Sequence, residues 1–178
     1  MRARIAITTA AVLVGTLTAC GSGDTSNPAP KDDTPKASAT PTGERQTGAL
    51  DAEAVATELQ KTVPSLKVTV VYTEASDPNH QLGRPGGYTS KVTFSDSRIP
   101  AKEVEFTDEH DLTRGGSVEV FDTAAAAEKR AAYIRKIGES MPTFAEYDYV
   151  QGPVLLRVSK ILTPTQAKEY EQALAELS

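Results

Sequence analysis

Apolar positions fall into three regimes along this chain. Residues 5–17 are a largely apolar run rich in Ala, Val and Leu. Residues 21–48 contain no aromatic and no branched aliphatic residue. From residue 49 onward apolar positions recur at regular spacings, and those spacings predict the folded part. Val55, Leu59 and Val63 repeat at helical intervals, so a helix is expected over 51–62, capped by Asp51 and stopped by Pro64. Two strands follow. The stretch 67–73 places Val68, Val70 and Tyr72 on one face. The stretch 88–94 places Tyr88, Ser90, Val92 and Phe94 on one face, with Thr89, Lys91 and Thr93 on the other. Alternation of this kind marks half-buried antiparallel strands.

A weaker strand is expected over 103–106, and a clearer one over 117–121 with Val118 and Val120 inward. An alanine-rich helix then begins at Asp122 or Thr123, with Ala127, Ala131, Ile134 and Ile137 as its inner stripe, and Gly138 is expected to end it. A hairpin pairs 146–150 with 154–161 around Gln151-Gly152-Pro153. Its second strand points Val154, Leu156 and Val158 inward and Arg157 and Ser159 outward. The last helix carries the strongest local signal: Thr163 as N-cap, Pro164 at the first helical position and Gln166 completing a capping box. Ala167, Tyr170, Leu174 and Leu177 form its apolar stripe. The order α-β-β-(β)-β-α-β-β-α predicts an α+β fold, two-layered, with a mainly antiparallel sheet and helices packed on one face.

The apolar run near the start changes the picture of where this fold works. Arg2 and Arg4 precede it, and Leu17-Thr18-Ala19-Cys20, followed by Gly21, closes it. The run is shorter than the roughly 20 apolar residues that span a bilayer, and it has the parts of an export signal. Its end resembles the lipobox of bacterial lipoproteins. That resemblance implies a signal peptide over 1–19, a diacylglyceryl group on the Cys20 sulfur, and Cys20 as the mature N-terminus. Two acyl chains anchor stably because each buried CH₂ contributes roughly 0.8 kcal/mol. The alternative is an ordinary secretory signal cut at Ala19 that leaves Cys20 free. Either way the protein is exported, and the expected location is the extracytoplasmic face of the cell membrane. Cys20 is the chain's single cysteine, so no disulfide can form within the chain and core packing alone must hold the fold. The composition of 21–48 predicts a disordered tether, which leaves one domain over 49–178. That domain carries 14 Lys and Arg against 20 Asp and Glu, a net of −6. Nucleic acid and anionic lipid surfaces are therefore excluded as its main partners.

Three stretches extend the resemblance. They are Gly83-Arg84-Pro85-Gly86-Gly87-Tyr88-Thr89-Ser90-Lys91, then Gly115-Gly116-Ser117-Val118-Glu119-Val120-Phe121, and Leu155-Leu156-Arg157-Val158-Ser159 running into Leu162-Thr163-Pro164. With the lipobox they resemble a group of small exported lipoproteins of actinobacteria. The resemblance implies class and compartment and carries over no catalytic residue.

The chemistry-bearing positions are few. The segment 77–87 is longer than a hairpin connection requires. Its Asp77, Asn79, His80 and Arg84 are the candidate ligand-binding residues, with Arg84 suited to a carboxylate or phosphate. The same residues also read as a rigid Asx-Pro turn tied to its own backbone. Asp108-Glu109-His110-Asp111, with Glu105 nearby, offers cation-type ligands but matches no EF-hand loop, and its preferred reading is a solvated connector between strands. His80 and His110 are the two histidines, and either with a carboxylate, or with Ser90 or Ser117, would suit a hydrolase. No Gly-x-Ser-x-Gly elbow, phosphate loop, CxxC pair or HExxH helix is present, so no cofactor and no metal site is expected. With Trp 0 in the composition, the chain lacks the tryptophan platforms on which carbohydrate-binding faces usually rely; Tyr147 and Tyr149 read as core or as a small patch. The function expected is a binding or interaction module for an envelope protein or small ligand. The alternative is an envelope hydrolase using a histidine–carboxylate pair.

Overall fold

The computed structural model describes residues 50–177. The export signal, Cys20 and the tether lie outside these residues. The order is α1 (Ala52–Thr62), β1 (Leu66–Val71), β2 (Tyr88–Asp96), β3 (Gly115–Phe121), α2 (Ala124–Ser140), β4 (Glu146–Gln151), β5 (Val154–Ser159) and α3 (Pro164–Ala175). The five strands form one sheet in the order β1-β2-β3-β5-β4. Every adjacent pair is antiparallel. The fold is α+β, as expected from the strand runs.

Local chemistry explains the helix starts. Asp51 accepts the Glu53 N–H, and the Ala52 N–H donates to Ser90 Oγ at 2.8 Å, which ties α1 to β2. Thr123 accepts the Ala126 N–H at the start of α2. Thr163 and Gln166 form the expected reciprocal capping box on α3. Each bond satisfies an N–H that the first helical turn leaves open.

α1 and α3 cover one face of the sheet. Their Ala56, Leu59, Ala167, Tyr170 and Leu174 pack on Val92, Phe94, Val118, Val120, Leu156 and Val158 in a single apolar cluster. Tyr147 and Tyr149 pack against this cluster as partly buried residues, which is their core reading. Tyr170 stacks on Phe94 with ring centroids 5.5 Å apart, and its hydroxyl donates to Asp96 Oδ2 at 2.7 Å. Burial opposes the charge of Asp96, but hydrogen bonds from Arg98 outweigh it and hold the carboxyl below the usual range. Arg98 also reaches Glu169 on α3.

α2 lies on the opposite face, which corrects the expectation of helices on one face alone. Its Ala127, Ala131 and Ile134 cluster with Tyr72, Tyr88, Phe121 and Leu155, residues whose strand neighbours point the other way. Two bulges produce part of this arrangement. Thr69 is the extra residue between Val68↔Phe94 and Val70↔Thr93. Thr89 is the extra residue between Tyr88↔Phe121 and Ser90↔Val120. An inserted residue reverses the alternation beyond it. Val70 and Tyr72 therefore face α2 while Val68 faces α1 and α3, and Tyr88 faces away from Ser90, Val92 and Phe94.

Two further expectations are corrected. The stretch 103–106 is not a strand: a 3₁₀ turn over Ala101–Glu103 is followed by turns that leave Phe106 94% exposed. α2 continues two residues past Gly138 to Ser140. A Cβ at Gly138 would stand 3.2 Å from Ala145 Cα, so this glycine serves close approach of the returning chain and not helix termination.

Candidate functional site

The α2 face of the sheet is built from charges. Among the described residues seven polar side chains are buried, and six of them, Asp77, Lys91, Thr93, Ser117, Glu119 and Ser159, belong to this face or to the loop beside it. The signs alternate from strand to strand: Lys91 on β2, Glu119 on β3, Arg157 on β5, Glu146 and Asp148 on β4. Lys91 is the register partner of Glu119, and Asp148 that of Arg157. This reverses the expectation that Arg157 and Ser159 point to solvent. They point to the second helical layer.

Bonds knit the cluster together. Arg157 Nε and Nη2 donate to the two oxygens of Glu146 at 2.6 and 2.9 Å, a bidentate fork. Its Nη1 donates to Glu119 Oε1 at 3.1 Å. The other Glu119 oxygen accepts from Arg130 Nε at 3.2 Å, which pins α2 to the sheet. Glu119 is wholly buried, and two guanidinium groups compensate it. Burial penalises the charge of Arg157, yet its bonds to Glu146 and the nearby charges of both glutamates keep it firmly protonated. For Asp148 the nearby charges of Arg157 and Arg135 are too weak a relief. Burial, followed by the adjacent Glu146, pushes its carboxyl up to about 7, and its buried Oδ1 has no hydrogen-bond partner among the described residues.

α2 does not cover this whole face. A cleft of about 800 Å³ opens along its flank, within the size range of small-molecule sites. Arg130, Tyr133, Ile134 and Ile137 of α2 form one wall. Glu146, Arg157 and Ser159 form the floor. Phe144 and Ala145 close one end, and Asn79, Gln81 and Gly86 of the long loop close the other. Tyr133 and Phe144 stand at the rim, 59% and 61% exposed.

The loop 77–87 is organised by Asp77. Its Oδ2 accepts the N–H groups of Gln81 at 2.8 Å and Leu82 at 3.1 Å. Its Oδ1 accepts the Tyr88 hydroxyl at 2.5 Å and the Asn79 N–H at 3.3 Å. Lys91 Nζ lies 3.5 Å from the same oxygen, between the rings of Tyr72 and Tyr88 at 4.6 and 5.2 Å from their centroids. Burial opposes ionisation of Asp77, but the Tyr88 hydroxyl, the two backbone N–H groups and Lys91 together outweigh it and hold the carboxyl at about 2. Burial likewise lowers Lys91, against the pull of Glu119 and Asp77. Asp77 thus shapes the loop from within and is 1% exposed.

The candidate residues separate on this framework. Asn79 lines the cleft and donates to the Tyr88 hydroxyl at 3.3 Å. His80 and Arg84 are exposed and do not line it. His80 holds the left-handed conformation at φ 51°, which His tolerates better than most residues. His110 Nδ1 lies 3.2 Å from the Tyr72 hydroxyl. Among the described residues neither imidazole is hydrogen-bonded to a carboxylate, to Ser90 or to Ser117. Ser90 accepts from the start of α1, and Ser117 Oγ is buried with no hydrogen-bond partner among the described residues. In the acidic run, Asp108 accepts the His110 N–H at 2.8 Å. Asp111 accepts the N–H and hydroxyl of Thr113 at 2.8 and 2.6 Å. These carboxylates shape turns, and no group of three metal-type side chains comes together among the described residues.

Arg130, Glu119, Glu146 and Arg157 were not singled out by the sequence reading. A usable signal existed: single charges of alternating sign, Lys91, Glu119 and Arg157, each stand next to a Val or Leu in three strand stretches. No protein-family model matches the sequence, and neither curated proteins nor solved structures show a significant match.

Proposed function

We propose that this chain is a lipid-anchored, extracytoplasmic binding module. Cys20 carries the diacylglyceryl anchor, 21–48 is the tether, and the cleft beside α2 receives a small molecule of the cell envelope. The observation that supports this reading is the cleft itself. It opens where a sheet face that is otherwise packed is left uncovered, and the long loop forms one end of it. Its floor is locked by the Arg157–Glu146 fork at 2.6 and 2.9 Å, so the site is formed before any ligand arrives. Its rim carries exposed aromatic rings, which give contact area at low entropic cost. The histidine–carboxylate hydrolase gains no support from the positions of His80 and His110.

Anchor and cleft are tested separately. Mass spectrometry of the protein extracted from membranes should find a chain beginning at Cys20 with a diacylglyceryl adduct. An unmodified thiol there would overturn the anchor. For the cleft, the full mature chain carrying Cys20→Ser is titrated with N-phenyl-1-naphthylamine, a neutral apolar fluorophore. Saturable one-site binding is expected, weakened about tenfold or more in the double variant Tyr133→Ala/Phe144→Ala. No saturable binding, or binding untouched by that variant, would refute the cleft assignment.

A further inference from the structure

The charges around the cleft are not evenly committed. On the acidic side, both Glu146 oxygens are engaged by Arg157, and Asp111 Oδ1 is engaged by Thr113. On the basic side, Lys160 Nζ is held by the carbonyls of Pro142 and Thr143, each at 2.7 Å. Arg130 differs. Only its Nε is bonded, to Glu119, and its two terminal nitrogens have no hydrogen-bond partner among the described residues. Its side chain is 13% exposed, and the guanidinium lies 5.9 Å from the Tyr133 ring centroid. Lys129, the preceding residue, also lines the cleft.

A guanidinium fork withdrawn from bulk water with open donors is suited to an anion with paired oxygens. The cleft lining holds Lys129, Arg130, Arg157 and Lys160 against Asp111 and Glu146, and with Glu119 paired behind both arginines cations still outnumber these carboxylates, in a domain whose overall balance is −6. The sign of charge is therefore inverted locally. The domain's acidic surface does not cancel this, because charges further than about 8 Å are largely screened at physiological salt. Beyond Arg130 the wall turns apolar, through Tyr133, Ile137 and Phe144.

We propose that the cleft selects amphipathic anions: a carboxylate or phosphate head on the Arg130 fork, and an apolar body along Tyr133, Ile137 and Phe144. This rests on the cleft being a ligand site at all. The phosphate and carboxylate arms share one recognition chemistry, and the test separates them.

The full mature chain with Cys20→Ser is titrated calorimetrically, below micelle concentrations, with decanoate, decyl phosphate and decanol. At least one of the two anions should bind about tenfold or more tightly than decanol, which is the size expected of a charge-assisted pair, and the tighter of the two identifies the head. The preference should weaken as salt rises. Arg130→Lys keeps a cation for Glu119 but removes the fork, and should lose most of the preference while melting at a similar temperature. If that variant does not fold, Lys129→Glu at the surface should reduce anion affinity several-fold and leave decanol unchanged. Decanol binding as tightly as both anions would overturn anion selection and leave the cleft a ligand site. No binding of any decyl probe would overturn it too, and if N-phenyl-1-naphthylamine also failed to bind, the cleft reading would fall with it.

Discussion

The two faces of the sheet solve the same burial problem with opposite chemistry. The face under α1 and α3 is sealed by Leu59, Phe94, Leu156, Tyr170 and Leu174. Apolar burial there contributes roughly 25 cal/mol per Å² without regard to direction. The face under α2 buries Lys91 and Glu119 and half-buries Arg157, whose attraction must offset the loss of hydration and is worth having only with the right partners in place. An apolar face can be covered completely by any well-shaped helix. A charged face demands particular bonds, and α2 supplies one of them through Arg130. The remainder of that face stays open as the cleft. The apolar face thus contributes packing alone, whereas the charged face combines a stabilising network with the proposed ligand cleft.

Breaking each face tests the contrast. Glu119→Ala leaves Arg157 and Arg130 without their shared counter-charge, and should cost about 3–5 kcal/mol in urea unfolding. A loss under about 1 kcal/mol would show that the network is solvated and not structural. Leu156→Ala should cost about 2–5 kcal/mol by opening a cavity on the apolar face. Its cost should be the same at pH 5 and pH 8, because no charge is removed.

The titrating carboxyls sharpen the comparison. Asp77 is held at about 2, below its ordinary value of about 3.9. Its contribution to stability is therefore present above about pH 4 and is lost as pH falls toward 2. Asp77→Asn should cost about 1–3 kcal/mol at pH 7 and lose less on acidification than the parent. Equal acid sensitivity of the two proteins would contradict the assignment. Asp148 runs the other way. Its carboxyl is raised to about 7, so the folded state resists its ionisation, and stability is lost as pH rises from about 4 through 7. Asp148→Asn should be neutral near pH 4 and more stable than the parent at pH 8. The smallest effect belongs to the rim. Tyr133→Ala should shift stability by no more than about 0.5 kcal/mol while weakening probe binding, and a large loss of stability would make Tyr133 structural.

Periodicity exposed most of the elements but not which face each residue joins. Thr163 and Gln166 announce α3 because capping is local. The extra residues at Thr69 and Thr89 are invisible to a period-two count, since a bulge depends on the partner strand, and each reverses the facing of what lies beyond it. The side taken by α2 depends on how the chain crosses the sheet, which its own stripe of Ala127, Ala131 and Ile134 does not encode. At the candidate site, the length of 77–87 drew attention to a loop that does reach the cleft, where Asn79 is among the lining residues. Asp77 instead spends its oxygens on the loop's own backbone. Arg157 was read as outward because a lone charged residue on a strand usually is. Its partners lie 11 and 38 residues away in sequence, and no local pattern names them.

The most direct test of the division between the faces is amide chemical-shift mapping of the ¹⁵N-labelled mature chain carrying Cys20→Ser, titrated with decanoate. The shifts should concentrate in α2 from Ala126 to Ile137, in the 143–146 segment and around Arg157 to Lys160, with α1 and α3 unmoved. Shifts centred on α1 or α3, or no saturable shifts at all, would contradict the account.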